Sequence, residues 1–164
     1  MKTGFAPVAV TSHSPERTIA LGRRAGAVLR GGETLSLIGE LGTGKTLFAQ
    51  GVALGLGVKD RVISPTFLIH RMYEGRLRLH HFDFYRLRNE TDLESVGFFD
   101  FQGEDPPAVV VAEWGDKFRE ALDEPIIEVR FDLGRKETDR AIRFEVRGMA
   151  AEVWEALSRE ILGR

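Results

Sequence analysis

The 164-residue chain has no cysteine, so it can build no disulfide framework, no thiolate metal site and no cysteine nucleophile. That absence leaves the compartment open. Long apolar runs are missing too: nowhere do about eighteen apolar residues follow one another, the length a membrane-spanning helix requires. The segment from Met1 to Thr11 carries one lysine and no extended apolar stretch, so no secretory leader is expected. The chain therefore reads as soluble and cytoplasmic, with no membrane partner. Nor is there a surplus of charge. With 23 basic and 25 acidic side chains, nothing global calls for a long nucleic-acid track or an anionic membrane surface, although local patches stay open. Internal repeats and low-complexity stretches are absent. Lysine is scarce beside arginine, a bias that carries no functional conclusion.

What is present is concentrated early in the chain. Gly39-Glu40-Leu41-Gly42-Thr43-Gly44-Lys45-Thr46 is a complete G-x-x-x-x-G-K-[ST] phosphate-binding loop, placed directly after the apolar run Leu35-Ser36-Leu37-Ile38. A strand that ends in a glycine-rich turn and enters a helix aims backbone N–H groups and a helix N-terminus at polyphosphate charge. In this pattern Glu40, Leu41, Gly42, Thr43 and Gly44 cradle the nucleotide, Lys45 reaches the outer phosphates, and the Thr46 hydroxyl completes a magnesium shell. A polyphosphate ligand with Mg²⁺ is expected here.

A hydrophobic content of 43% and the length fit one domain, residues 1–164, with one sizeable core. Ser14 and Pro15 mark a helix start, and the helix is expected to run to Gly31-Gly32, burying Ile19, Ala20, Ala27 and Val28. A strand over 34–38 and a helix over 45–56 follow, the latter with Phe48, Val52 and Leu56 on one stripe. Segments 67–73 and 76–84 read as a hairpin turning at Glu74-Gly75, and a short helix starts near Asn89. Ala108-Val109-Val110-Val111-Ala112 has the continuous apolar character of a strand buried on both faces. Alternation over 126–131 and 141–146 predicts a second hairpin, and 150–162 a closing amphipathic helix. Together these give an α/β fold, a P-loop NTPase-like mixed sheet with a parallel core flanked by helices, its ligand at the carboxyl ends of the parallel strands.

One threonine hydroxyl cannot fill an octahedral magnesium shell, so an acid is needed to hold the ion or orient water. Glu113 follows the most buried-looking strand and would emerge at the sheet's carboxyl edge, unless it is a charged strand end kept for solubility. Asp83 shares an alternating row with His81 and Tyr85, which reads equally as a functional face or as the outer face of an edge strand. His81 alone reads as a structural hydrogen-bonding group. Ser64-Pro65-Thr66 fits either an ordinary turn or a switch loop whose threonine reaches the metal or outer phosphate. Arginines 71, 76, 78, 86 and 88 form a cluster that would complement phosphate, RNA or an acidic partner, or simply be solvated. Asp100-Phe101-Gln102-Gly103 imitates a GTPase D-x-x-G, but no Asn-Lys-x-Asp guanine-reading motif follows it.

The phosphate loop, Ser64-Pro65-Thr66-Phe67, His81-Phe82-Asp83-Phe84-Tyr85-Arg86-Leu87 and Glu113-Trp114, in this order, resemble the TsaE (formerly YjeE) family of bacterial ATPases over roughly residues 14–118. The resemblance implies an ATPase of the machinery that makes N6-threonylcarbamoyladenosine in tRNA. Such a protein docks on the complex of TsaB and TsaD, supports its repeated turnover and meets tRNA only through that complex. Carried over by position, Lys45 and Thr46 match the family's phosphate and magnesium residues and Thr66 its switch-like threonine. Asp83 matches the aspartate of the H-x-D-x-Y-R segment, and Glu113 the acid ending a Walker-B-like strand. Which acid holds magnesium and which orients water stays open. A small-molecule kinase with the arginine-rich hairpin as lid, and a binding module in which ATP only stabilises a docking surface, are the alternatives.

Overall fold

A computed structural model describes residues 4–164, and the first three residues of the expected leaderless segment lie outside that range. Among the described residues seven strands form one sheet: β1 (Val8–Ser12), β2 (Thr34–Ile38), β3 (His70–Tyr73), β4 (Leu79–Asp83), β5 (Val109–Glu113), β6 (Ile126–Leu133) and β7 (Arg140–Arg147). Their order is β1-β7-β6-β2-β5-β4-β3. The central pairs β6-β2, β2-β5 and β5-β4 are parallel, which is the expected parallel core, and every residue of β2, β4 and β5 is buried. Antiparallel strands finish both sides, β3 beyond β4, and β7 with β1 beyond β6.

Alternation along the parallel strands divides the core in two. Leu35, Leu37, Leu79, Val109 and Val111 face a larger cluster closed by α1 (Pro15–Val28), α2 (Lys45–Gly55) and α5 (Ala151–Leu162). Phe82, Val110, Ala112 and Ile126 face a smaller, aromatic one closed by α3 (Glu90–Ser95) and α4 (Phe98–Phe101). The helix starts expected at Ser14 and near Asn89 are capped. Ser14 Oγ accepts from the Arg17 amide at 3.1 Å, and Asn89 Oδ1 from that of Asp92 at 2.9 Å.

The buried face of α1 differs from the expected one. Ala27 is exposed, and Ile19, Ala20 and Val28 are only partly covered, whereas Thr18, Leu21, Gly22, Ala25 and Gly26 are buried. The cause is close backbone approach. A β-carbon on Gly22 would collide with the Phe48 carbonyl, and one on Gly51 with the Ile19 carbonyl. The glycine seam between α1 and α2 thus sets the helix rotation, not the bulkier apolar residues. A second difference lies before β3. Residues 67–69 form a turn, because Ile69 is left-handed (φ 67°) and its amide returns to the Pro65 carbonyl. Strand β1, helix α4 and the 3-10 turn at Gly115–Ala121 had no clear sequence signal. Among the described residues no helix is long and apolar enough to cross a membrane.

Candidate functional site

Strand β2 delivers the chain to the loop of residues 39–44, and α2 begins at Lys45. Gly44 takes φ 108°, a left-handed geometry that a β-carbon would strain, and it starts α2 without any side-chain cap. The first N–H groups of α2 are therefore left for a ligand rather than for a serine or aspartate. Two contacts brace the loop: Thr43 Oγ1 donates to the Glu40 carbonyl at 2.7 Å, and the Arg140 guanidinium donates to the Gly42 carbonyl at 3.1 Å. Arg140 comes from the start of β7, and nothing local in its sequence points to the loop.

Lys45 is buried beneath the loop. Its Nζ donates to the carbonyls of Gly39 (2.5 Å) and Glu40 (2.8 Å) and stands 4.3 Å from the centre of the Trp114 ring. Burial lowers its pKa, opposed by the negative charges of Glu113, Asp83, Glu40 and Asp116. This is a desolvated cation bound to neutral carbonyls, ready to exchange them for anionic oxygens. Trp114 reaches it because the chain turns sharply after β5: Trp114 is left-handed (φ 61°) while its amide still bonds the Leu37 carbonyl at 2.9 Å.

The two acids meet through strand pairing. In the parallel β4–β5 register Asp83 lies opposite Glu113, and both side chains are buried, at 4% and 3% exposure. Glu113 is thus no solvated strand end, and β4 is no edge strand, since β3 covers it. Glu113 Oε1 accepts from Thr46 Oγ1 at 2.7 Å, and its Oε2 lies 2.7 Å from His81 Nε2. Asp83 Oδ2 accepts from Thr66 Oγ1 and Oδ1 from the Tyr85 amide, both at 2.9 Å. Each acid is claimed by a different hydroxyl, one on the phosphate loop and one on the 64–69 segment. His81 and Asp83 share the inner face of β4, while Tyr85 lies beyond the strand and is half exposed.

Lys45, Thr46, Thr66, Asp83, Glu113 and Trp114 line one cleft of about 240 Å³ together with Leu41, Gly42 and Gly44. Glu40 and Thr43 do not reach its wall; they brace the loop from behind. A larger cavity, about 450 Å³, opens between Gly31, Gln102 and Glu124 and holds none of these residues. The expected arginine cluster is dispersed. Arg76 donates to the last carbonyls of α1, at Gly26, Ala27 and Leu29, and Arg78 pairs with Glu74 and Glu104. Arg86 stacks 4.9 Å from the Phe67 ring, next to the cleft residue Thr66 in sequence.

Comparison with known proteins agrees with this arrangement. Residues 12–142 match the family model described as threonylcarbamoyl adenosine biosynthesis protein TsaE. A tRNA threonylcarbamoyladenosine biosynthesis protein TsaE from Treponema pallidum is 37% identical over 121 residues, covering 72% of this chain and 86% of the relative. The protein of the same name from Bacillus subtilis is 38% identical over 118 residues, covering 71% and 72%. The crystal structure of Bacillus subtilis YdiB superposes with a TM-score of 0.75 at 29% identity, over 94% of this chain and 95% of that one. With its mixed sheet, its loop between β2 and α2 and these relatives, the chain belongs to the TsaE family of tRNA threonylcarbamoyladenosine biosynthesis.

Proposed function

We propose that this protein is a cytoplasmic, Mg²⁺-dependent ATPase, slow alone, that serves the TsaB–TsaD complex in making tRNA N6-threonylcarbamoyladenosine. The observation that carries the reading is the Thr46–Glu113 hydrogen bond beside the buried Lys45, which unites loop, acid and cation in one cleft. The donor set fits magnesium: a hydroxyl and two carboxylates offer hard oxygen ligands, and the chain has no cysteine thiolate to compete. When bound, the ion would neutralise charge developing on the phosphate oxygens. The chain's own groups divide the remaining work. Loop amides and Lys45 bind and orient the phosphates, giving up the Gly39 and Glu40 carbonyls. Glu113, tied to Thr46, is the acid on the metal side. Asp83, tied to Thr66 on the mobile-type loop of nucleotide switches, orients the attacking water.

A docking role accompanies this chemistry. Leu41 and Phe67 stand 72% and 81% exposed beside the cleft, with Leu68 and Tyr85 near them, an apolar rim suited to a protein partner that senses the nucleotide. Calorimetric titration with ATP and Mg²⁺, followed by single-turnover hydrolysis with and without a matching TsaB–TsaD pair, tests the proposal. Binding, slow intrinsic turnover and acceleration by the pair are expected. Phosphate transfer to an added metabolite in place of water would point to a kinase instead.

A further inference from the structure

His81 occupies a position that packing alone would give to an aliphatic residue. It is completely buried, opposite Val111 in the β4–β5 register, two residues after the core residue Leu79. Burying an imidazole there costs desolvation that a leucine would avoid. Among the described residues one hydrogen bond offsets that cost: Nε2 lies 2.7 Å from Glu113 Oε2, and Nδ1 is buried with no partner there. An ionised carboxylate only accepts, so the ring hydrogen sits on Nε2 and the lone pair on Nδ1.

We propose that His81 is a positioning residue for ATP hydrolysis: locked as the Nε2–H tautomer, it fixes the Glu113 carboxylate so that Oε1 stays turned to Thr46. The inference rests on the ATPase reading above and deepens it. Each carboxylate oxygen then has one donor, Thr46 on one side and His81 on the other, and rotation of the group is suppressed. A partner behind a metal-side acid is worth roughly ten- to a hundredfold in activity.

Nitrogen-15 NMR of the imidazoles in the full-length protein, together with His81→Leu and His81→Gln variants, tests this. The wild-type spectrum should show His81 with its hydrogen on Nε2, in slow exchange with solvent. His81→Leu should lower the single-turnover rate roughly ten- to a hundredfold, with ATP affinity within about threefold of wild type and no fall in melting temperature. His81→Gln, whose amide N–H replaces Nε2–H, should recover most of the rate. A merely structural histidine would give the reverse, a lower melting temperature and an unchanged rate per folded molecule. An Nδ1–H tautomer, or wild-type turnover in His81→Leu, overturns the inference alone. A wild-type protein that hydrolyses no ATP, even with TsaB–TsaD present, overturns the ATPase reading and this inference with it.

Discussion

Lys45 owes its place to the phosphate loop alone, and its contacts indicate what its loss will do. The amine is desolvated, holds two carbonyls and faces the Trp114 ring, so removing it takes little from the fold. On the ATPase reading it would remove a charge-assisted bond to phosphate, worth about 1.5–3 kcal/mol. Lys45→Ala should therefore weaken ATP binding by at least about tenfold, with thermal unfolding nearly unchanged, as read by calorimetry and circular dichroism. Unaltered affinity in the folded variant would remove the loop from nucleotide binding. The acids should behave differently. Glu113→Gln sets an amide N–H₂ against Thr46 Oγ1 or against His81 Nε2, and Asp83→Asn does the same against Thr66 or the Tyr85 amide. Each should cut single-turnover hydrolysis about a hundredfold or more while ATP still binds; near-normal rates in both would refute their assignment. The motif made Lys45 and Thr46 legible in the sequence. Arg140 and the indole of Trp114 were not, because one arrives across 98 residues and the other through a left-handed turn.

At the scale of elements, helical periodicity revealed that α1 exists but mistook its buried face. Apolar bulk points to Ile19 and Val28, whereas contact is set by glycines whose missing side chains admit the neighbouring backbone. Gly51→Ala tests this. Alanine is the better helix former by about 1 kcal/mol, yet its methyl group would meet the Ile19 carbonyl. The overpacking cost of about 1–3 kcal/mol should win and lower the melting temperature; a variant at least as stable as wild type would show that the seam is loose. Across the sheet, β3, β4 and α4 are joined by His70, stacked on Phe82 and Phe101 with its Nε2 3.0 Å from His80 Nδ1. Burial first, and then His80 and His81, lower its pKa from 6.5 to about 4. The unfolded chain therefore takes up this proton before the folded one. Stability from this group is unchanged above about pH 6.5, falls as pH drops from there to about 4, and falls no further below. Melting temperature measured against pH should show that loss in the wild type and a shallower one in His70→Phe; equal slopes would exclude His70 as the source.

For the whole molecule, the parallel core was legible because of the apolar run Ala108–Ala112 and the leucines of β2 before the phosphate loop, while the strand order was not, since β6 reaches β2 only after the whole β3–β5 segment has been laid down. The meeting of Asp83 and Glu113 has the same origin: it depends on a pairing between strands about thirty residues apart, which no local pattern encodes. The fold also leaves Leu41 and Phe67 exposed on two different segments beside one cleft. Thr66, next to Phe67, touches Asp83, and Arg86 stacks on the Phe67 ring, so a change in what the acid binds would shift the apolar rim. Nucleotide state and partner affinity would then be coupled through this segment. An exposed aromatic that anchors an interface is worth about 2 kcal/mol or more, so Phe67→Asp should weaken TsaB–TsaD binding by roughly thirtyfold or more. ATP affinity should stay near the wild-type value, because Phe67 is not among the cleft-lining residues. Size-exclusion chromatography of the three proteins with ATP or a nonhydrolysable analogue, repeated with the variant, reads both effects. A complex that Phe67→Asp leaves intact would place the docking surface elsewhere, and the absence of any complex with the wild type would end the assignment to that partner pair.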